Sequence, residues 1–188
     1  MEIREAINED LNQIIAIEEE CFPESEAAKG EDIRKRFFAF KENFFVAVED
    51  GEVVGFINGC TTNSPELPDE LYHDTSLYNP NGEYQTVFGL DVLPKYRRNG
   101  IAENLLNYFI QISKARGKKG IVLTCKDYLV HYYKKFGFEH KGVSASSHGG
   151  AKWNDMVLIF WYSFLTFSTS GVDICFDVIW RAEVEQAK

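Results

Sequence analysis

The segment NFFVAVEDGEVVGFINGC constrains the fold more than any other part of the chain. Its centre is the dipeptide Asp50-Gly51, which suits a two-residue type I′ turn because both central residues of that turn need positive φ angles. The runs on either side are apolar and rich in β-branched and aromatic residues, which favour strands. The segment therefore predicts two neighbouring antiparallel strands within a sheet.

The remaining segments alternate between helical and extended patterns. Helices are predicted where apolar residues recur every three or four positions, and strands where short apolar runs end at glycine or proline. In chain order the elements follow the pattern β-α-α-β-β-β-α-β-α-β-β, in which YQTVFGLDVLP counts as one strand. This order predicts an α/β (α+β) domain with a mixed, mostly antiparallel sheet, one or two crossovers and flanking helices.

Length and charge limit the possible functions. A chain of 188 residues is long enough for one domain with a substantial core. The net charge of −9 argues against nucleic acid as a partner, because phosphate backbones require a basic surface. Any phosphate site must therefore be local and must use backbone amides and a few basic side chains.

Cysteine usage and the first residues point to a cytoplasmic protein. The four cysteines are widely spaced and form no C-x-x-C pair, so neither a disulfide framework nor a metal site is predicted. The opening MEIREAINEDL is polar and acidic, unlike a secretory signal peptide. We also expect no membrane partner, because no uninterrupted apolar stretch of about 20 residues occurs.

The unit LDVLPKYRRNGIAENLL places a basic loop between a strand and a helix. The first turn of a helix has unpaired N–H groups and a partial positive charge, so an anion can bind there. Gly100 and Ala102 would allow close backbone approach, and Arg97 and Arg98 could add charge-assisted hydrogen bonds. The segment alone is equally compatible with a solvated basic turn.

A second motif, YYKKFGF, follows about thirty residues after this loop and makes the pair far more specific. With both motifs, the sequence resembles the GNAT-type N-acetyltransferases. The resemblance implies acetyl-CoA as co-substrate, and it implies that Tyr133 protonates the departing thiolate. It also implies that the backbone of the preceding strand binds the pantetheine arm and that the basic loop holds the pyrophosphate. The positions concerned are Leu90, Asp91 and Val92 on the strand, and Arg97, Arg98, Asn99, Gly100, Ile101 and Ala102 in the loop and first helical turn.

Three longer segments resemble the arylalkylamine N-acetyltransferase branch: CFPESEAAKGEDIRKRF, NPNGEYQTVFGLDV and TCKDYLVHYYKKFGFEHKG. This resemblance covers residues 2–159 and implies a small primary amine as acceptor. Two histidines that the branch carries on the strand before the loop are replaced here by Thr86 and Phe88, and neither can accept a proton at neutral pH. The base is therefore left open between a water chain and four side chains: Glu83, Asp91, His73 and His131.

The chemistry leaves further alternatives open. An alkylammonium with a pKa of ~10.4 must lose a proton before it attacks the thioester, and no covalent intermediate is then needed. Cys125 could instead be a nucleophile, although buried cysteines are usually inert. The acidic residues Glu66, Asp69, Glu70 and Asp74 either attract a cationic amine or are merely solvated. For His73, His140 and His148 the default expectation is a solvated histidine.

Two alternative functions remain open. One is the same transfer onto a peptide N-terminus, a lysine or a polyamine, and the other is a non-catalytic acyl-CoA sensor. We predict a transferase domain over residues 1–160. An apolar C-terminal extension over residues 161–188 would pack on the domain or form a homodimer contact.

Overall fold

The computed structural model describes residues 1–161, so the predicted extension lies outside the described residues apart from Trp161. Five α-helices and nine strands occur in this part of the chain. The helices are α1 (Leu11–Cys21), α2 (Gly30–Phe40), α3 (Glu70–His73), α4 (Ile101–Ala115) and α5 (Val130–Lys134). The strands are β1 (Glu2–Glu5), β2 (Phe44–Glu49), β3 (Glu52–Asn58), β4 (Thr61–Thr62), β5 (Tyr84–Val87), β6 (Gly89–Val92), β7 (Gly120–Cys125), β8 (Glu139–Val143) and β9 (Asn154–Ile159).

The predicted hairpin is confirmed. Strands β2 and β3 pair antiparallel, and Asp50 and Gly51 between them have φ angles of 51° and 85°. Both angles lie in the left-handed region that the type I′ turn requires. The pair forms the centre of a four-stranded sheet with the order β1-β2-β3-β6.

A second sheet has the order β4-β5-β7-β9-β8. Only the β5–β7 pair is parallel, and the other described pairs in both sheets are antiparallel. The prediction of a mixed, mostly antiparallel sheet flanked by helices is therefore confirmed.

The prediction of one continuous strand over YQTVFGLDV is wrong. The extended chain divides at Phe88: β5 pairs with β7 in the second sheet, whereas β6 pairs with β3 in the first. The Phe88 amide donates to Asn58 O at 2.8 Å, and the Gly89 amide donates to the Asn58 side chain at 3.0 Å. In the described chain β6 has no strand partner on its other edge, so the two sheets open into a cleft beside it.

Two apolar cores cover the two faces of the first sheet. One lies under α4 and α5 and contains Phe45 and Leu105, and the other lies under α1 and α2 and contains Phe44 and Phe37. Successive residues of β2 thus point to opposite faces, as the two-residue period of a strand requires. None of the helices in residues 1–161 has the length and apolar character needed to cross a membrane.

Candidate functional site

A groove with a volume of about 640 Å³ runs from the open edge of β6 to the start of α4. It brings together nearly all the positions that the sequence motifs single out. Asn99 is exposed and is not among the lining residues. The predicted positions that do line the groove are Leu90, Asp91, Val92, Arg97, Arg98, Gly100, Ile101, Ala102 and Tyr133.

The end of the groove at α4 has the geometry of an anion site. Gly100 stands directly before the helix with a φ angle of 77°, which a residue with a side chain adopts only with strain. No side chain caps this helix end, so its first N–H groups are left for another acceptor. The positive end of a 15-residue helix therefore faces the groove, with Arg98 beside it.

The sequence predicts that the Arg97 side chain is free to bind phosphate, but in the structure it makes a hydrogen bond within the chain. Its Nε donates to Val92 O at 2.9 Å, so the side chain turns back onto the end of β6. This bond uses one of the five donors of the guanidinium group. Arg97 therefore fixes the loop to the strand and keeps its positive charge near Asp91.

A second cavity of about 260 Å³, here called the pocket, lies on the other side of Tyr133. Aromatic rings from five separate segments form much of its wall: Phe22, Tyr72, Phe88, Tyr128, Tyr133 and Trp153. The pocket and the groove share six lining residues, which are Cys21, Phe22, Leu90, Tyr128, Leu129 and Tyr133. The two spaces are therefore contiguous, and Tyr133 and Leu90 lie where they meet.

The environment of Tyr133 favours its protonated form. The residue is 7% exposed and sits on α5 between the two cavities. Burial, followed by the nearby Cys125 and Tyr132, raises the pKa of its hydroxyl group. The phenol therefore holds its proton throughout the physiological range and can act only as a donor of that proton there.

Two buried charged residues of the pocket were not singled out by the sequence. Arg36 on α2 donates to Tyr72 O from Nε at 3.1 Å and from Nη2 at 2.7 Å, and its guanidinium lies 5.1 Å from the Phe88 ring centroid. Glu18 on α1 accepts a hydrogen bond from the Ala28 amide at 2.8 Å. Glu18 follows Ile14 and Ile17 on the buried helix face, so its position in that pattern was the available signal.

The expectation that His148 is solvated is wrong. Its Nε2 donates to Glu26 O at 2.8 Å, and its ring stacks on Tyr72 with centroids 5.7 Å apart. The histidine lies in the loop between β8 and β9, which folds over the pocket. Glu26 also pairs with Lys126 at 2.8 Å, so this side of the wall is closed by a connected polar cluster.

Three of the four predicted candidates for the base lie outside both cavities. Glu83 is exposed and pairs with Lys119 at 2.6 Å, and His73 and His131 are also exposed. Asp91 alone lines the groove. Of the positions that replace the two histidines, Phe88 lines the pocket, whereas Thr86 is buried against Cys60.

The acidic loop and Cys125 lie in different surroundings. Glu66, Asp69 and Glu70 line a separate depression, and Asp69 accepts a hydrogen bond from the Ser147 amide at 3.1 Å. Cys125 lines the pocket, but burial raises the pKa of its thiol to about 11. A thiol of that kind holds little thiolate at neutral pH, so it is poorly suited to nucleophilic attack.

Comparison with known proteins agrees with this arrangement. A model of the acetyltransferase (GNAT) family matches residues 11–138. A probable hydrolase, YhcX, from Bacillus subtilis is 28% identical over 130 residues, which cover 65% of this chain and 25% of that protein. The serotonin N-acetyltransferase of Mesocricetus auratus is 31% identical over 102 residues, covering 54% of this chain and 48% of that enzyme.

The chain thus spans between a quarter and about half the length of these two relatives. Among solved structures, the GphF GNAT-like decarboxylase in complex with isobutyryl-CoA superimposes with a TM-score of 0.71 at 18% identity. The superposition covers 85% of this chain and 99% of that one. At this identity the likeness concerns the fold alone.

Proposed function

Because the chain belongs to the acetyltransferase (GNAT) family, we propose that it transfers the acetyl group of acetyl-CoA to the primary amine of a small aryl- or alkylamine. The observation that supports this most is the junction of the groove and the pocket at Tyr133. The groove suits a long anionic acetyl donor, and the pocket suits a compact acceptor. Their contact allows the two substrates to react directly.

In this proposal the groove holds acetyl-CoA. The pyrophosphate lies against the first N–H groups of α4, where Gly100 permits close approach and Arg98 adds charge. The pantetheine arm follows β6, whose free edge offers backbone groups for hydrogen bonds. The thioester then reaches Leu90 and Tyr133.

The pocket holds the amine. Its aromatic walls offer stacking surfaces and a cation–π environment for an arylalkylammonium group. Its small volume and the loop that folds over it favour a compact molecule over an extended peptide. The assignment to the arylalkylamine branch rests on this pocket and on the partial likeness to serotonin N-acetyltransferase.

The chemistry is a direct displacement at the thioester carbon. The amine nitrogen forms a bond to the acetyl carbon, the C–S bond breaks, and the electron pair leaves on sulfur. The conjugate thiol has a pKa of about 8.5 and is a stronger acid than the phenol, so the Tyr133 hydroxyl donates its proton as the C–S bond breaks and does not do so in a separate step. The extra proton on the new amide nitrogen then restores the Tyr133 hydroxyl.

A thiol-release assay with an amine panel tests the proposal. The panel comprises phenylethylamine, tryptamine, a linear alkylamine, a polyamine and a peptide with a free N-terminal alanine, with acetyl-CoA alone as background. We expect kcat/KM to be highest for the two aryl amines. Preference for the peptide or polyamine would overturn the acceptor class, and acetyl-CoA binding without turnover of any amine would favour the sensor.

We further propose that the reaction takes place in the cytoplasm. The wide cysteine spacing supports this, and Cys21, Cys60 and Cys125 are all free thiols. A homodimer formed through the C-terminal extension stays a prediction from sequence. Sedimentation of the full chain would decide between monomer and dimer.

A further inference from the structure

We propose that the carboxylate of Glu18 removes the proton from the bound amine, and that the protonated carboxyl group of Asp91 positions it for this role. The inference rests on the proposed acetyl transfer. It assigns the base that the sequence left open, and it assigns it to a residue outside the four candidates of the sequence. The pair Glu18 and Asp91 is called the carboxyl pair below.

The geometry that brings the carboxyl pair together depends on Gly89. Glu18 is 7% exposed on α1, and Asp91 is 4% exposed on β6. A Cβ atom placed on Gly89 would lie 3.1 Å from Asp91 Oδ2 and 3.4 Å from Glu18 Oε2. The missing side chain therefore leaves the space in which the two carboxyl groups face each other.

Asp91 Oδ2 is buried and receives no hydrogen bond from any donor in the described chain. Its neighbour across the Gly89 space is Glu18, with which it forms a hydrogen bond only if one of the two groups is protonated. Burial and the charge of Glu18 both oppose ionisation of Asp91, so the two carboxyl groups cannot both be charged at moderate cost. The carboxyl pair therefore shares a proton, as coupled acids do.

The surroundings decide which group holds that proton. Glu18 accepts the Ala28 amide at 2.8 Å and is attracted by Arg36, and both contacts favour its charged form. Burial raises the pKa of both carboxyl groups, and that of Asp91 lies well above its ordinary value because the charge of Glu18 adds to burial. Asp91 is thus the donor and Glu18 the acceptor.

The position of the carboxyl pair fits proton removal from the amine. Glu18 lines the pocket, and Asp91 lines the groove, so the pair forms part of the wall between them. In the first step one N–H bond of the ammonium group breaks and the proton passes to Glu18. Attack, C–S cleavage and protonation by Tyr133 follow as described, and Glu18 then releases its proton to water.

Positively charged groups near the carboxyl pair lower the pKa values of its two members and so limit the effect of burial. Arg36 on α2 and His148 in the β8–β9 loop face Glu18, and Arg97 after β6 acts on Asp91. A carboxyl group with a pKa raised above ~4.3 is a better base near neutral pH than an ordinary glutamate. We therefore expect kcat/KM to fall on the acid side of its pH profile, here called the acid limb, with a midpoint above pH ~4.3.

The test compares pH profiles of kcat/KM for the best amine of the panel. Glu18→Gln should lower kcat by about 100-fold and abolish the acid limb. Glu18→Asp should be slower than the wild type but keep a limb, because it retains a titrating group. Glu20→Gln, an exposed neighbour on α1, is the matched charge control and should behave like the wild type.

The role of Asp91 is tested by the pH of the acid limb, because a residue with only a structural role would not change that pH. Asp91→Leu removes the hydrogen bond to Glu18, so the acid limb should move to higher pH. Asp91→Asn keeps a donor and should leave the limb near its original position. Equal limbs for Asp91→Leu and Asp91→Asn would overturn the role of Asp91.

Acetyl-CoA affinity shows whether each variant is folded. A wild-type rate and limb in folded Glu18→Gln, or loss of the limb in Glu18→Asp, would overturn Glu18 as the base. If the wild type itself acetylates no amine in the panel, the proposed function and the base fail together. The two failures are therefore distinguishable by the wild-type rate alone.

Discussion

At Tyr133, one hydroxyl group lies where the groove meets the pocket. Tyr133→Phe removes that group and retains the ring, which packs on Phe138 with centroids 5.7 Å apart. We expect kcat to fall by about 100-fold because the thiolate loses its proton donor. Stopped-flow thiol release gives kcat, and isothermal titration should show an almost unchanged Kd for acetyl-CoA.

Tyr108→Phe is the matched control. Tyr108 lies on α4, packs against Phe45 of β2 and lines neither cavity. It should keep the wild-type kcat. If Tyr133→Phe and Tyr108→Phe turn over equally fast, the hydroxyl of Tyr133 is not the acid.

Cys125 permits a separate prediction about the order of steps. Since burial raises the pKa of its thiol to about 11, we expect no acetyl-enzyme to form when the protein is mixed with acetyl-CoA alone. Intact-mass spectrometry of the mixture measures this directly. An acetyl adduct on Cys125 that disappears on adding amine would establish a two-step mechanism and contradict direct attack.

Sequence motifs located the residues of the groove better than those of the pocket. Arg97, Gly100 and Tyr133 line the groove and belong to one loop and one helix. Each lies within a short motif, so the sequence pattern was enough to find them. Glu18 and Arg36 enter the pocket from helices far away in sequence, and their burial depends on tertiary packing. The apolar pattern of α1 indicates that Glu18 lies on the buried helix face, but it does not show which cavity the carboxyl group enters.

Among the elements, the break between β5 and β6 shapes the site most. The sequence predicted one strand there because YQTVFGLDV is extended throughout. The backbone amides of Phe88 and Gly89 donate hydrogen bonds to Asn58 and hold the break at the end of β3. Such long-range contacts leave no local pattern in the sequence. Propensity therefore predicts the strand but not which sheet each half joins.

The start of α4 allows a prediction at the scale of the element. Gly100→Glu should abolish measurable acetyl-CoA binding, because a carboxylate beside the helix end repels the pyrophosphate and occupies its place. Gly100→Ala is the matched control, since both variants pay ~1 kcal/mol for a left-handed φ angle. The nearest atom to a new Cβ is Asn104 Nδ2 at 4.0 Å, so the alanine itself meets no obstacle.

Isothermal titration with acetyl-CoA, beside melting curves, separates binding from stability in these variants. The two variants should melt at similar temperatures, and only Gly100→Ala should still bind. Equal loss of affinity in both would show that the glycine conformation, and not the anion site, determines binding.

For the whole molecule, the net charge of −9 must be reconciled with an anionic co-substrate. The helix end and Arg98 supply positive charge at the groove, which Glu103 also lines. Other acidic residues, such as Glu66 and Glu70, line a different depression. Composition excluded a broad basic surface and required such a local site. It could not show where the acidic side chains lie, because that depends on how the loops fold.

The buried carboxyl pair also makes the stability of the whole domain depend on pH. The pKa of Asp91 is raised in the folded state, so its favourable contribution is complete below the unfolded value of about 3.9 and is lost as pH rises through the folded value. Asp91→Asn removes this titration. The difference in Tm, variant minus wild type, should therefore increase from pH 4 to pH 8.

Differential scanning calorimetry across this range tests the prediction, with Glu31→Gln on the exposed surface of α2 as the charge control. The control leaves the buried carboxyl pair intact, so it should not reproduce the rise expected for Asp91→Asn. A flat difference for Asp91→Asn would mean that Asp91 is ionised as readily in the folded chain as in the unfolded one. A falling difference would reverse the sign and show that Asp91 is stabilised as a carboxylate, which would assign the shared proton to Glu18.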